Sequence, residues 1–310
     1  MSTITSLPFA ITQPGNYSLA ANLHSASGAG ISINCDDVVI DFRGFSIAAP
    51  FSGSAAGYGV SAFNKERITI KNGAISGFMY GVYLSDLADS VRPNGSFDGG
   101  GHTVECLDIR RCTFRAIRVE GNGNVVRNNS IREIGGCTLS EDAYAFGIES
   151  IGPGAMIENN RIYEVRGRGV ADIGEGVGIS ISDYGDGSVI RDNVITQSSR
   201  ELNGKYADWS AESRSSYGVW IGGESDVMVD ANLINNFVYG ITFKRTSTGC
   251  FSRNVVNNAV VPYYLPTVMG PTLVRDGGGN MSDVRSDELL PLRNTPGPVE
   301  CVEMTYLSPR

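Results

Sequence analysis

A glycine followed by apolar, polar and apolar residues recurs along this chain at Gly30-Ile31-Ser32-Ile33, Gly59-Val60-Ser61-Ala62, Gly81-Val82-Tyr83-Leu84, Gly147-Ile148-Glu149-Ser150, Gly178-Ile179-Ser180-Ile181, Gly218-Val219-Trp220-Ile221 and Gly240-Ile241-Thr242-Phe243. The phrase returns after as few as 22 residues, from Gly59 to Gly81 and from Gly218 to Gly240. The long interval between Gly81 and Gly147 is split at Ile117-Arg118-Val119, where Ala116 stands in the glycine's place. A unit that short cannot bury an apolar face alone, so it must stack on copies of itself.

A second phrase follows each of the first. It reads Ile40-Asp41-Phe42-Arg43-Gly44, Ile70-Lys71-Asn72-Gly73, Val126-Arg127-Asn128-Asn129, Ile157-Glu158-Asn159-Asn160, Ile190-Arg191-Asp192-Asn193, Val229-Asp230-Ala231-Asn232 and Phe251-Ser252-Arg253-Asn254. Each repeat therefore holds at least two short strands with one apolar face, and no segment sustains a helical period. Like strands stacked in parallel at ~4.8 Å turn equivalent positions into columns. Asn129, Asn160, Asn193, Asn232 and Asn254 fall in one column, where side-chain amides can bond to the coils above and below. Cys112 is read at the same position one coil earlier.

These phrases and the asparagine column resemble the right-handed parallel β-helix superfamily, the pectate-lyase-like fold. The opening Ile4-Thr5-Ser6-Leu7-Pro8-Phe9 and Pro14-Gly15-Asn16-Tyr17-Ser18-Leu19 also look like the start of such chains. The resemblance implies an all-β, right-handed solenoid and covers roughly residues 4 to 260. The superfamily includes lyases, hydrolases, epimerases and phage adhesins, so the resemblance does not fix a chemistry. One domain over 1–310 is expected, with an N-terminal cap at 4–20, stacked coils at 21–261 and an irregular, proline-rich C-terminal cap at 262–310.

With 33 acidic against 25 basic side chains, the net charge of −8 argues against a general nucleic-acid or anionic-membrane binder. No stretch is apolar and long enough for a membrane span. Met1-Ser2-Thr3-Ile4-Thr5 lacks the basic and apolar regions of a secretory signal, which favours a cytoplasmic or phage-associated location. The six cysteines form no CxxC pair, and free thiols are expected. His24 and His102 make no spaced metal cluster, so no metal site or resident cofactor is expected, calcium entering only under a lyase reading.

Four insertions exceed what a coil needs: 85–104, 134–146, 165–177 and 198–217. They are expected to wall the glycine-led sheet into a groove. The polar residue of each phrase points outward, giving the column Ser32, Ser61, Tyr83, Arg118, Glu149, Ser180, Trp220, Thr242. The next outward column is Asn34, Phe63, Ser85, Glu120, Ile151, Ser182, Gly222, Lys244. Aromatic rings stack on sugar rings while charged groups fix hydroxyls or carboxylates. Substrate-binding candidates are therefore Tyr83, Tyr184, Lys205, Tyr206, Trp209, Trp220 and Lys244, with Tyr83 and Trp220 as platforms. The second sheet's column, Asp41, Lys71, Arg110, Arg127, Glu158, Arg191, Asp230, reads instead as a solvated charge ladder.

The expected function is cleavage of a polysaccharide or oligosaccharide in that groove, by a lyase or a glycoside hydrolase. A hydrolase needs two carboxylates, available among Glu120, Glu149, Asp172, Glu175 and Asp183; a lyase needs a base and a cation, which Arg118, Lys205, Lys244 or Tyr184 could supply. Diagonal registers place Glu120 and Glu149 ~8 Å apart, a spacing suited to an inverting hydrolase with Glu149 as base and Glu120 as acid. Two other classes stand beside this one: a non-catalytic glycan-binding or adhesin module such as a tail-spike component, and a purely structural solenoid. In either, Arg118 and Glu149 are a surface ion pair that adds little stability. A homo-oligomer is compatible with all three.

Overall fold

The structure, a computed structural model, describes residues 2–86, 97, 99–139, 144–167, 175–198, 216–244, 246–265 and 274–283. Among them there is no helix. Ten parallel strands form the glycine-led sheet: Phe9–Ile11, Ile31–Ile33, Tyr58–Phe63, Tyr80–Ser85, Arg115–Glu120, Ala145–Ile151, Gly176–Ile181, Ser216–Ile221, Tyr239–Phe243 and Val261–Tyr264. Each of the eight inner strands pairs with its equivalents one coil before and one coil after, and the two end strands with one, which makes the chain a parallel β-helix. The remaining strands stack the same way on the other sides of the coil.

The alternation in each phrase is what closes the core. Ile117, Ile148, Ile179, Val219 and Ile241 lie opposite one another on successive strands and are all fully buried. The leading glycine answers to crowding in this packing: a Cβ on Gly178 would meet Ile195 Cγ2 at 2.4 Å, and one on Gly218 would meet Ile234 Cγ2 at 2.4 Å. Where one wall of the coil presses on the next only the smallest residues fit, Ala116 being the one that brings a Cβ.

At the bend after each second phrase, asparagine amides run up the molecule. Asn129 Nδ2 donates to Asn160 Oδ1, Asn160 Nδ2 to Asn193 Oδ1, Asn193 Nδ2 to Asn232 Oδ1 and Asn232 Nδ2 to Asn254 Oδ1, each at 3.0 Å. Each Oδ1 also accepts the backbone N–H of the asparagine before it, so the buried turn leaves neither group without a partner. Asn280 adds a further rung at 3.1 Å from Asn254. The residue one place before each of these carries a positive φ, among them Asn128, Asn159, Asp192, Ala231 and Arg253.

Two positions read from sequence are displaced, for one reason. In the strand Thr103–Arg110 the bend falls at Cys106 (φ 54°), and the residue opposite Asn129 is Leu107, whose N–H donates to Asn129 Oδ1. Cys112 therefore stands outside the asparagine column, and Arg110 outside the charge ladder, where Glu105 pairs with Lys71 and Arg127. That coil lacks the asparagine that marks the bend elsewhere, so the phrase was placed five residues late.

The regular pairing also runs past the boundaries expected for the caps. Residues 4–20 already form strands, with Phe9–Ile11 paired to Ile31–Ile33 and Gly15–Leu19 to Val38–Asp41. At the other end Val274–Asp276 and Met281–Ser282 continue the stacking beyond residue 261. The prolines at 262 and 266 hid this, since a proline on an outer coil removes a donor without ending the coil.

Candidate functional site

The outward face of the glycine-led sheet carries a closed network of charge. Arg118 and Glu149 lie directly opposite on neighbouring strands, and Glu120 follows two places after Arg118 on the same face. Arg118 Nε is 2.5 Å from Glu120 Oε1, and its Nη1 is 3.0 Å from Glu149 Oε2. Arg115 Nε also donates to Glu149 Oε2, at 2.5 Å, and Arg115 Nη1 donates to Tyr80 Oη at 3.1 Å. The second oxygens are held too: Ser85 Oγ donates to Glu120 Oε2 at 2.6 Å and Ser182 Oγ to Glu149 Oε1 at 3.1 Å. Tyr83 adds a hydroxyl contact to Glu120 Oε1 at 3.3 Å.

This network is buried, where the sequence suggested surface. Glu120 and Glu149 are 0 % exposed, and Arg115 and Arg118 are below 10 %. Burial pushes the Glu149 carboxyl up, but Arg115, Arg118 and the Ser182 hydroxyl outweigh it and hold the group below its ordinary value. Burial alone would lower the Arg118 guanidinium; Glu149 and Glu120 carry it well above its usual range. Burial likewise raises the Tyr83 phenol, so it stays protonated. Two cations and two anions thus neutralise one another inside the wall of the site.

Arg115 belongs to a third outward column that was not singled out from sequence. It holds the residue before each glycine: Tyr58, Tyr80, Arg115, Phe146, Val177, Tyr217 and Tyr239. The signal was present, because this position is aromatic in five of those seven coils. Arg115 lies over the Phe114 ring at 4.0 Å and the Phe146 ring at 4.7 Å, and Arg118 over Tyr83 at 5.2 Å.

Half-exposed rings gather in two places. Tyr58, Phe63 and Tyr83 pack with centroids 5.3 to 5.8 Å apart on two neighbouring coils, and Phe63 is 47 % exposed. Tyr217 stacks on Tyr239 at 5.1 Å, and Tyr239 meets the exposed Tyr264 at 5.8 Å. Trp220, expected as a platform, is buried with Phe146 and Val177, and its outer face is covered by Lys244 Nζ at 4.7 Å. Gly222 makes room for that indole, since a Cβ there would come within 2.5 Å of it.

The other candidates are spread along the sheet. Glu175 precedes the strand Gly176–Ile181 and its carbonyl accepts from Ala145 N, whereas Asp183 follows that strand and its carbonyl accepts from Gly152 N. A strand length, ~20 Å, separates the two. Tyr184 has φ 56° and sets its ring edge-on to Phe97, 6.0 Å away. Asp172, Lys205, Tyr206 and Trp209 lie outside the described residues, as does much of the four insertions. Among the described residues no group of three or more His, Cys, Asp or Glu side chains is placed to hold a metal ion.

No protein-family model matches the chain. No curated protein sequence matches it either. Solved structures similar to it are distant ones. XylC in complex with xylose has a TM-score of 0.49 at 14 % identity, over 84 % of this chain and 39 % of its own length. An alginate lyase from Paenibacillus has a TM-score of 0.48 at 13 % identity, over 87 % of this chain and 89 % of its own. The tailspike of the E. coli bacteriophage HK620, in complex with a pentasaccharide, has a TM-score of 0.45 at 11 % identity, over 87 % and 60 %.

Proposed function

We propose that this β-helix recognises a polysaccharide laid across the glycine-led sheet, binding it through the two aromatic sets and not cleaving it through Glu120 and Glu149. The observation that carries the reading is the pair of half-exposed ring clusters on one outward face. Four strand spacings, ~19 Å, separate Tyr80 from Tyr217 in the register of the sheet, the reach of a short oligosaccharide. Flat, rigid rings give contact area at small entropic cost, and their spacing along parallel strands suits a repeating ligand.

Between the clusters stand the two carboxylates that a hydrolase would need. Both already accept from Arg118, and Glu149 accepts from Arg115 as well. Both oxygens of each carboxylate are already taken by side chains of the wall and both residues are 0 % exposed, so neither reaches a leaving oxygen or an attacking water as acid–base catalysis requires.

One observation favours a second reading, a cleaving enzyme: four charged groups buried together cost stability and are commonly kept for a purpose. Incubating the purified protein with a polysaccharide panel separates the two. Ultraviolet absorbance reports unsaturated ends from a lyase, new reducing ends report a hydrolase, and affinity electrophoresis reports binding. Binding without product, weakened by Tyr83→Ala, is the expected result; product formation overturns the binding-only reading, and no binding anywhere on the panel overturns recognition itself.

A further inference from the structure

Lys244 stands apart from the other cations of this face. Arg115 and Arg118 are matched by carboxylates, whereas Lys244, which follows the strand Tyr239–Phe243, has its ammonium over the Trp220 ring, 4.7 Å from the centroid. A ring face holds a cation in place without cancelling its charge. Lys244 is half-buried, and among the described residues no carboxylate pairs with it.

Its surroundings are also incomplete. Thr242 lies two places earlier on the same face, ~6.6 Å along the strand. It is 4 % exposed and its Oγ1 has no hydrogen-bond partner among the described residues, a position most buried hydroxyls avoid. Opposite Thr242 on the next coil is Tyr264, 40 % exposed, which meets the Tyr239 ring at 5.8 Å. A positive charge, a buried hydroxyl without a partner and an exposed ring edge therefore occupy one end of the sheet.

We infer that Lys244 and Thr242, flanked by Tyr239 and Tyr264, form a subsite for an acidic sugar, one bearing a carboxylate or a sulfate. The ammonium supplies the charge, the hydroxyl a neutral hydrogen bond, and the rings the face on which the sugar lies. This rests on the glycan-recognition reading and names the class of glycan.

The test is affinity electrophoresis of the whole protein through gels containing a polyuronate, a sulfated dextran or plain dextran, with Lys244→Met, Lys244→Arg and Thr242→Val beside the parent. The parent is expected to bind at least one acidic polymer more tightly than plain dextran, with salt weakening that binding. Lys244→Met should lose about tenfold toward the acidic polymer, the size of one charge-assisted hydrogen bond, with Lys244→Arg restoring most of it. Plain dextran serves as the uncharged reference in every arm. Which acidic polymer responds tells carboxylate from sulfate. Equal retention by neutral and acidic polymers, or a Lys244→Met protein that melts like the parent and binds the acidic polymer as well, overturns the subsite and leaves glycan recognition standing. Retention by none of the polymers overturns both.

Discussion

Arg118 Nε lies 2.5 Å from Glu120 Oε1, an ion pair between alternate residues of one strand. The same guanidinium crosses the gap to the next coil and meets Glu149 with Nη1. One side chain thus stitches two coils at a place where no water reaches either carboxylate. Breaking a buried pair from one side costs far more than the pair contributes, because the partner keeps its charge and loses its compensation.

Arg118→Met is therefore expected to destabilise the fold by about 3–5 kcal/mol, because Glu120 loses its guanidinium and Glu149 is left with Arg115 alone. Urea unfolding at neutral pH, read as a shift in midpoint at constant slope, checks this. A loss below about 1 kcal/mol would mean the network is solvated and belongs with ordinary surface pairs.

Glu120→Gln and Glu149→Gln each remove a charge but keep a shape that Ser85 or Ser182 can still contact. Both variants are expected to melt below the parent and to retain glycan binding. If the parent is found to cleave a polysaccharide, loss of turnover in either variant with folding intact would return these residues to acid–base roles.

The glycine phrase made eight of the ten strands legible, all but Phe9–Ile11 and Val261–Tyr264, because a side chain at its first position crowds the neighbouring wall, as the 2.4 Å approach to Ile195 at Gly178 illustrates. Asn129 to Asn254 were legible for a similar reason: few residues satisfy both a side-chain and a backbone group at a buried turn. The Thr103–Arg110 coil was not, since Cys106 and Leu107 fill the bend with residues that carry no such signature. Burial of Arg118, Glu120 and Glu149 was hidden as well. Alternation tells which side of a strand a residue takes, but not what lies over the outer side.

Asn193 occupies the middle of the asparagine column. Its Nδ2 donates to Ile157 O, Arg191 O and Asn232 Oδ1, and its Oδ1 accepts from the N–H and Nδ2 of Asn160. Asn193→Leu orphans groups on both neighbouring coils, so a loss of about 3 kcal/mol is expected from the cost of buried unsatisfied polar atoms. Thermal melting and urea midpoints measure it, and glycan binding by the folded variant should be unchanged. A midpoint equal to the parent's would show that this bend tolerates unpaired amides.

His102 sets the pH at which acid begins to weaken the fold. It is 0 % exposed; its Nδ1 accepts from Ile68 N at 3.3 Å, and its Nε2 has no partner among the described residues. Burial lowers its pKa from 6.5 to about 4, against a small opposing pull from Asp36. The folded state therefore holds His102 neutral while the unfolded chain takes up a proton below pH 6.5. Between those two values the unfolded state binds more protons, so stability rises with pH across the window. It is complete above the unfolded value and lost as pH falls toward the folded one. The largest loss is about 3 kcal/mol, at 1.36 kcal/mol for each unit of displacement. The depressed Glu149 carboxyl acts in a lower window, giving up its contribution only as pH falls below the usual carboxylate range. Urea midpoints measured from neutral pH down to the folded pKa should slope for the parent and flatten for His102→Asn, whose Oδ1 can still accept from Ile68 N. The same slope in the variant would assign the acid sensitivity to another group and show that His102 is hydrated or already paired in solution.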